Sequence, residues 1–223
     1  VVVGPSTADN CAVAEVVNDY NNTSDASDTY DVGTTTVTWT VTDIHGNSTV
    51  DTQDITITDD ENPSLTVASD QTQTADAGNC TAVVVVVGPA TADNCAVSTV
   101  LNDYNNTSDA SDTYDVGTTT VTWTVTDIHG NSSTDTQDIT ITDDEAPSIT
   151  AAADQTQTAD AGNCTAVVSV VGPATADNCA VAEVVNDYNN TSDASDTYDV
   201  GTTTVTWTVT DIHGNSSTDT QDI

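Results

Sequence analysis

The sequence predicts an all-β fold made of tandem β-sandwich domains, and three observations support this prediction. The chain repeats itself with a period of 84 residues. Inside each repeat, apolar residues alternate with polar ones, as they do in a strand that buries one face. No segment keeps the 3.6-residue period of an amphipathic helix, and Thr and Val, which favour strands, dominate the composition.

The period is visible in segments that recur almost unchanged. "ADNCAV" begins at Ala8, Ala92 and Ala176, and "VGTTTVTWTVTDIHGNS" begins at Val32, Val116 and Val200. We divide the chain into a partial repeat at 1–60, which lacks its first strands, a complete repeat at 61–144, and a repeat at 145–223 that lacks the end of its last strand. A period this long is typical of a small independent domain rather than of a solenoid coil.

Period-two patterning predicts the strands within a repeat. In "TTTVTWTVTD", the residues Val121, Trp123 and Val125 alternate with threonines. "TQDITIT" continues the pattern after the turn "DIHGN", in which Gly130 can adopt a positive φ, so the two segments predict a hairpin. "SITAAADQTQT", "CTAVVSVV" and "AVAEVVNDY" each predict one further strand. About seven strands per repeat indicate an immunoglobulin-like sandwich whose main aromatic core residues are Trp39, Trp123 and Trp207.

The charge of the chain limits its partners. It carries 36 acidic residues, no Lys or Arg and three His, which gives a net charge of -36. Nucleic acids and anionic membrane surfaces are not expected partners, because both bind through Lys and Arg. The longest apolar run, 82–87, is too short to span a bilayer, so we expect no membrane insertion in this segment. The chain opens in mid-pattern without Met or a signal peptide, which suggests a window of a longer protein. Cations are the first partner to consider.

The five cysteines occupy two positions of the repeat. Cys80 and Cys164 follow "AGN", whereas Cys11, Cys95 and Cys179 follow "ADN". The spacing favours pairs within a repeat, Cys80 with Cys95 and Cys164 with Cys179, with the partner of Cys11 falling four residues before Val1. Free thiols and bridges between adjacent repeats remain alternatives. Two cysteines per repeat without CxxC do not suggest zinc, and disulfides place the chain outside the cytosol.

The combination of motifs resembles the hyalin repeat (HYR) family. The resemblance is carried by "ATADNCAV", then "YDVGTTTVTWTVTDIHGNSSTDTQDITITDDEAPSIT", then "DAGNCTAVV", in this cyclic order, and it covers the whole chain. HYR modules are immunoglobulin-like domains found in tandem in extracellular and cell-surface proteins, including very large bacterial adhesins. The resemblance implies adhesion or spacing rather than catalysis. Many members carry further cysteines in the first and last strands, where this chain has none.

The junctions between repeats are the predicted calcium sites. Acidic residues stack there before a proline, and the chain should enter the next domain beside its "DIHGN" turn. We expect Asp144 in particular to approach the turn that contains His213. Calcium accepts many oxygen ligands in irregular geometry. The alternative is a solvated hinge. The predicted ligands are Asp59, Asp60, Glu61, Asp127, Asn131, Asp143, Asp144, Glu145, Asp211 and Asn215.

These observations predict an extracellular or cell-surface array that forms the stalk of an adhesin or filament. Calcium at the linkers and disulfides in the domains would stiffen it, and its partners would be identical neighbouring repeats or other copies of itself. One alternative is a multivalent adhesin whose repeats bind a glycan or protein through exposed tyrosines. Another is a filament subunit that pairs strands between chains. The one histidine per repeat is more typical of an exposed turn residue than of a metal ligand or pH switch. Catalysis is not expected, because nothing marks an activated serine near it.

Overall fold

The computed structural model describes the whole chain, Val1 to Ile223. It consists of strands, turns and loops, which confirms the all-β class, and it contains no long apolar helix of the kind that crosses a membrane. Backbone packing divides the chain into two compact units. The first comprises Val1–Asn62, Asp93–Ala96 and Asp127–Asn131, and the second comprises Pro63–Ala92, Val97–Thr126 and Ser132–Ile223.

The first unit contains one antiparallel sheet of three strands. Its strands, in the spatial order β1-β2-β3, are β1 (Val13–Asn18), β2 (Gly33–Asp43) and β3 (Ser48–Ile57). Trp39 on β2 is 2% exposed and packs with Ala26 and Val37. The indole Nε1 of Trp39 donates to Gln53 Oε1 at 3.2 Å, so its polar atom is satisfied inside the apolar cluster.

The second repeat forms the first sandwich. A four-stranded sheet, in the order β5-β11-β10-β8, makes one layer, and the short pairs β4–β7 and β6–β9 make the other. The strands are β4 (Ser64–Thr66), β5 (Gln71–Thr74), β6 (Thr81–Val84), β7 (Ala90–Ala92), β8 (Val97–Asn102), β9 (Asp112–Asp115), β10 (Gly117–Asp127) and β11 (Ser132–Thr142).

The third repeat follows the same plan. Its sheets are β15-β17-β18, β12-β14 and β13-β16. The strands are β12 (Ser148–Thr150), β13 (Thr165–Val168), β14 (Ala174–Ala176), β15 (Val181–Asn186), β16 (Asp196–Asp199), β17 (Thr204–Asp211) and β18 (Ser216–Asp222). The counterpart of β5 is not formed here. In the second repeat β5 pairs with the four residues Ile139–Thr142. The third repeat contains the counterpart of only one of them, since Ile223 corresponds to Ile139.

Alternation along the long hairpin builds the core. On β10, Val121, Trp123 and Val125 are fully buried, whereas the threonines between them are more exposed. Trp123 packs with Ala82 and Tyr114 of the opposite layer. In the third repeat Trp207 is equally buried and belongs to the equivalent cluster. The predicted turn is present as well, since Gly130 has a φ of +95° and Asp211 N donates to Asn215 O at 3.0 Å in the equivalent turn.

One strand assignment was wrong in its extent. The segment expected to form a single strand at the start of a repeat is divided in the second repeat between β4, which pairs with β7, and β5, which pairs in parallel with β11. The division has a local cause. Asp70 lies between the two strands, and its carboxylate accepts the Asp138 N–H at 3.0 Å. This hydrogen bond holds the chain to β11 at the point where it passes from one layer to the other.

The tyrosines pack against one another in pairs. They form three stacked pairs, one per repeat, each with ring centroids 4.4 Å apart. In the second repeat Tyr114 is fully buried and Tyr104 is 38% exposed. The Tyr104 hydroxyl donates to Thr113 O at 2.7 Å, so even the outer ring uses its polar atom inside the repeat.

Candidate metal centre at the repeat junctions

Three carboxylates from separate segments meet beside the linker that enters the third repeat. Asp143 follows β11, Asp177 lies in the loop before β15, and Asp211 ends β17. One oxygen of each lies within 4.8 Å of one oxygen of the other two. The same arrangement occurs 84 residues earlier in the first unit, where the members are Asp59, Asp93 and Asp127.

The hairpin turn positions Asp211. Its Oδ1 accepts the backbone N–H groups of His213 and Asn215 at 2.8 and 2.9 Å. The Asn215 side chain donates through Nδ2 to Asp211 Oδ2 at 2.7 Å and to the Asp143 carbonyl at 3.2 Å. Asn215 therefore ties the linker to the turn. Because its amide presents N–H groups to both partners, it is a positioning residue in this orientation rather than an oxygen ligand.

The loop before β15 positions Asp177. Its Oδ2 accepts the N–H groups of Cys179 and Ala180, both at 2.8 Å, as in an Asx turn. Its Oδ1 is buried and has no hydrogen-bond partner, and the same is true of Asn178 Oδ1 and of Asp93 Oδ1 at the earlier junction. A buried carboxylate oxygen without a partner is costly, so this loop holds acceptors that the protein itself does not satisfy.

The side chain of the linker carboxylate is fully enclosed. The Asp143 side chain has 0% exposure, and its Oδ2 lies 3.1 Å from His213 Nδ1. Its Oδ1 accepts from Asn178 Nδ2 at 3.1 Å. The equivalent Asp59 side chain is 2% exposed, and its Oδ2 lies 3.2 Å from His129 Nδ1. His129 and His213 are therefore more than exposed turn residues, whereas the side chain of His45 in the first repeat contacts no carboxylate in this way.

The electrostatics of the cluster favour bound cations. Burial raises the pKa of Asp211, but the Asn215 side chain and the backbone N–H groups of the turn lower it by more, so the pKa lies below its usual value. The balance is the same for Asp127. Burial also raises the pKa of Asp59, and hydrogen bonds led by that from Asn94 reverse the shift. These carboxylates are ionised at neutral pH, and the chain contains no Lys or Arg to neutralise them.

A cysteine lies beside each carboxylate cluster. Asp59, Cys95 and His129 each place one ligand atom within 4.8 Å of the others, as do Asp143, Cys179 and His213. Burial raises the pKa of the Cys95 thiol, and its hydrogen bond to Asp59 together with the surrounding carboxylate charges raises it further. The thiol is therefore protonated at neutral pH.

The structure brings together only part of the predicted ligand set. Residues that meet at the two junctions are Asp59, Asp127, Asn131, Asp143, Asp211 and Asn215. Four predicted ligands, Asp60, Glu61, Asp144 and Glu145, are exposed and belong to neither cluster. The residue that contacts the hairpin turn is Asp143 and not Asp144, because successive side chains of an extended linker point in opposite directions. Glu145 instead accepts the Gly78 N–H at 2.8 Å.

Two carboxylates of the clusters, Asp93 and Asp177, were not predicted as ligands from the sequence. Only the cysteine of the motif "ADNCAV" was predicted to have a role. The aspartate two residues before that cysteine contributes a carboxylate to the cluster. A signal was present, because an aspartate whose carboxylate can accept the N–H groups two and three residues later marks an Asx turn. The sequence alone does not show that this turn lies at the same end of the domain as "DIHGN".

The predicted cysteine pairs, Cys80–Cys95 and Cys164–Cys179, were wrong. The disulfide joins Cys80 to Cys179, 99 residues apart in sequence and 4.7 Å apart at Cα, and Cys11, Cys95 and Cys164 are free. It links the second repeat to the third, which was one of the open alternatives.

The physical reason is the length of the sandwich. Cys164 O accepts from Val200 N before β17, whereas Ala180 O accepts from Ile212 N after it. The eight residues of β17 span about 23 Å, and a disulfide requires Cα atoms within about 7 Å of each other. The second repeat carries its two cysteines at the equivalent ends of the longer strand β10. Cys80 of the second repeat therefore lies beside Cys179 of the third repeat and not beside Cys95 of its own.

The donor set of the carboxylate clusters fits a hard cation. Calcium takes about six to eight oxygens from carboxylates, carbonyls and water in flexible geometry. Three carboxylates at each junction, one with an unpartnered buried oxygen, supply part of such an oxygen ligand set, and carbonyl groups or water would supply the rest. The clusters therefore fit calcium.

The chain is similar to solved structures of cadherin domains and to two curated proteins, both hyalins. Drosophila N-cadherin EC1-3 aligns with 99% of this chain and 91% of its own at 9% identity and a TM-score of 0.40. Protocadherin Gamma B2 extracellular cadherin domains 3-6 align with 86% of this chain and 60% of their own at 14% identity and a TM-score of 0.38. Hyalin from Strongylocentrotus purpuratus is 29% identical over 201 residues, or 87% of this chain, and hyalin from Lytechinus variegatus is 29% identical over 221 residues, or 96% of this chain.

The chain spans only 16% and 40% of the lengths of these two hyalins. A scan against family models gives two tandem matches to the HYR domain, at residues 58–141 and 142–222. These matches cover well over half of the sequence and coincide with the 84-residue period. The chain belongs to the HYR domain family.

Proposed function

We propose that this chain is a structural segment of an extracellular adhesion-type repeat array, in which calcium at each junction limits bending between consecutive repeats. The array lies outside the cell or at its surface, in keeping with HYR membership, the hyalin relatives and a disulfide that persists only in an oxidising compartment. Its nearest partners are its own neighbouring repeats. We assign it reach and stiffness rather than chemistry.

The observation that carries the calcium assignment is the pair of equivalent oxygens Asp93 Oδ1 and Asp177 Oδ1. Each is buried, lacks a hydrogen-bond partner, and belongs to an aspartate grouped with two further carboxylates. Ionised carboxylates repel one another at such separations, and the protein supplies no cationic side chain in their place. A bound divalent cation removes both costs.

The stiffening role follows from where the ligands originate. Asp143 belongs to the linker, Asp177 to a loop of the third repeat, and Asp211 to the hairpin of the third repeat. A cation that binds all three holds the linker against the repeat it enters. The Cys80–Cys179 disulfide adds a second covalent connection between the same two repeats. Together they leave the junction fewer accessible orientations than a solvated hinge has.

The first test compares the disulfide-intact chain in calcium and in excess chelator at constant ionic strength. We expect calcium to raise the thermal midpoint, because it binds the folded clusters and not the unfolded chain. Small-angle scattering should show a longer particle in calcium. If neither the midpoint nor the particle length changes, the acidic linkers are solvated hinges and the proposed role of calcium is wrong.

A matched pair of variants separates the junction from general charge. D177N removes one anionic ligand while leaving an oxygen to accept from Cys179 and Ala180, so it should reduce the calcium-dependent rise in midpoint. Asp9 is the counterpart of Asp177 and makes the same two bonds to Cys11 and Ala12, at 2.7 and 3.1 Å. It belongs to no three-carboxylate cluster. D9N should leave the calcium response unchanged, and an equal loss in both variants would show that only overall charge matters.

A further inference from the structure

The cysteine beside the first carboxylate cluster belongs to a second group of ligands of different chemistry. Asp59, Cys95 and His129 bring a carboxylate oxygen, a sulfur and an imidazole nitrogen within 4.8 Å of one another. Cys95 is half-buried and free of any disulfide. Calcium disfavours sulfur and nitrogen, whereas zinc binds all three donor types. We propose that Asp59, Cys95 and His129 form a binding site for a divalent ion of the zinc class.

The geometry of the three side chains is close to what such an ion requires. Ligand atoms at the corners of a zinc tetrahedron lie about 3.3–3.8 Å apart. His129 Nδ1 and Asp59 Oδ2 already lie 3.2 Å apart. The sulfur lies within 4.8 Å of both and needs to approach by about 1.3 Å at most, which a small rotation of the cysteine side chain can supply. Water takes the fourth position.

Hydrogen bonds outside the three ligands hold two of them in place. Asp59 Oδ1 accepts from Asn94 Nδ2 at 3.2 Å, which leaves Oδ2 facing the histidine. The His129 backbone N–H donates to Asp127 Oδ1 at 2.8 Å, which fixes the turn that carries the imidazole. Such supporting bonds orient metal ligands and raise the affinity of their site.

The next junction provides an internal comparison. Asp143, Cys179 and His213 are grouped in the same way, and His213 Nδ1 lies 3.1 Å from Asp143 Oδ2. There the sulfur is bonded to Cys80 and cannot act as a thiolate ligand. The cysteine of this motif therefore serves either as a metal ligand or as half of an inter-repeat disulfide. In this chain only the Cys95 site is competent.

This site shares Asp59 with the carboxylate cluster, but it adds a sulfur and a nitrogen donor that calcium disfavours, so it goes beyond the proposed calcium role and is tested separately from it. The test is a Co²⁺ titration of the disulfide-intact chain in calcium-free buffer without oxygen. Co²⁺ replaces zinc and gives a thiolate charge-transfer band in the near ultraviolet that carboxylates do not give. We expect the band to saturate at one equivalent and to disappear when Zn²⁺ is added.

Variants assign the band to the three residues. C95S should abolish it, H129Q should weaken Co²⁺ binding by about tenfold or more, and C164S, which removes an exposed free thiol, should leave it unchanged. C80S releases Cys179 and should raise the stoichiometry to two equivalents. Far-ultraviolet circular dichroism checks that each variant is folded. If C95S does not fold, H129Q still tests the site, because it keeps the thiol and removes only the imidazole.

Several outcomes would overturn the inference. They are the absence of a thiolate band in the unaltered chain, a band that survives C95S, or a C80S chain that still binds one equivalent. The calcium-dependent midpoint is measured without cobalt, so a calcium response without a thiolate band leaves the proposed function standing and removes only this site. A thiolate band without a calcium response would contradict the proposed role of calcium and still support this site.

Discussion

Among single residues, the aspartate that ends the long strand and accepts the N–H groups of the following turn has the clearest energetic role. Asp211 has a folded-state pKa below its ordinary value of 3.8, because hydrogen bonds to its ionised form outweigh the effect of burial. A depressed pKa stabilises the fold fully above the unfolded-state value, and that contribution is lost as the pH falls through the folded-state value. The relevant window therefore lies below about pH 4.

We predict that D211N lowers the thermal midpoint at pH 7 and that its difference from the unaltered chain shrinks as the pH falls below about 4. Thermal melts from pH 2 to pH 7 in chelator measure this difference without a contribution from calcium. Asp43 makes the equivalent bonds to His45 and Asn47, and its pKa is also lowered, chiefly by the Asn47 side chain. D43N should show the same pH dependence. A difference that persists unchanged at low pH would contradict the assignment.

The residues of the site show how far sequence reasoning extends. Asp127 and Asp211 were predictable because each stands before a turn that the pattern "DIHGN" defines. The choice of Asp143 over Asp144 was not, because it depends on which face of the extended linker meets the turn. Asp177 and Cys179 were not predictable either, because the sequence does not show that β15 pairs with β17 and so brings their loop to the same end of the repeat as the "DIHGN" turn.

Among the elements, the long central strand β10 carries the largest buried side chain of its sandwich. Trp123 is fully buried between the two layers. We predict that W123A destabilises the second repeat by about 3–5 kcal/mol, since truncation loses the transfer free energy of the indole and leaves a cavity. Chemical denaturation followed by circular dichroism measures the change.

A control lies on a strand of the opposite layer. Val83 on β6 is 63% exposed, so V83A should change the free energy of unfolding by no more than about 0.5 kcal/mol. Equal effects of the two substitutions would show that the tryptophan is not the core residue assigned here.

The predictability of the strands follows their burial pattern. β10 and β11 were evident because ten residue pairs alternate cleanly and a glycine turn joins them. β7 and β9 were missed, because strands of three and four residues are too short to show a period. The division between β4 and β5 was missed for a different reason, since it depends on a hydrogen bond to Asp70 from a strand 68 residues away.

In the molecule as a whole, the second and third repeats are joined twice, by the linker and by the disulfide. The sequence favoured a short ring of 15 residues because nearby cysteines close loops at the lowest entropic cost. The structure closes a ring of about 99 residues instead. In the chain-entropy description a ring of this size stabilises by about 4–5 kcal/mol, compared with about 3 for the short ring, provided that both repeats unfold together.

We predict that C80S lowers the thermal midpoint and that C164S, which alters the equivalent but free and exposed cysteine, does not. The pairing itself is checked by mass spectrometry of the unreduced chain after cleavage at aspartate, because the absence of Lys and Arg leaves trypsin no site. Cys80 and Cys179 should appear in one linked pair of peptides. A link between Cys80 and Cys95 would restore the bridge within the repeat. The junction would then be held by its hydrogen bonds and the proposed cation alone, and chelator by itself should let the two repeats bend as freely as the linker allows.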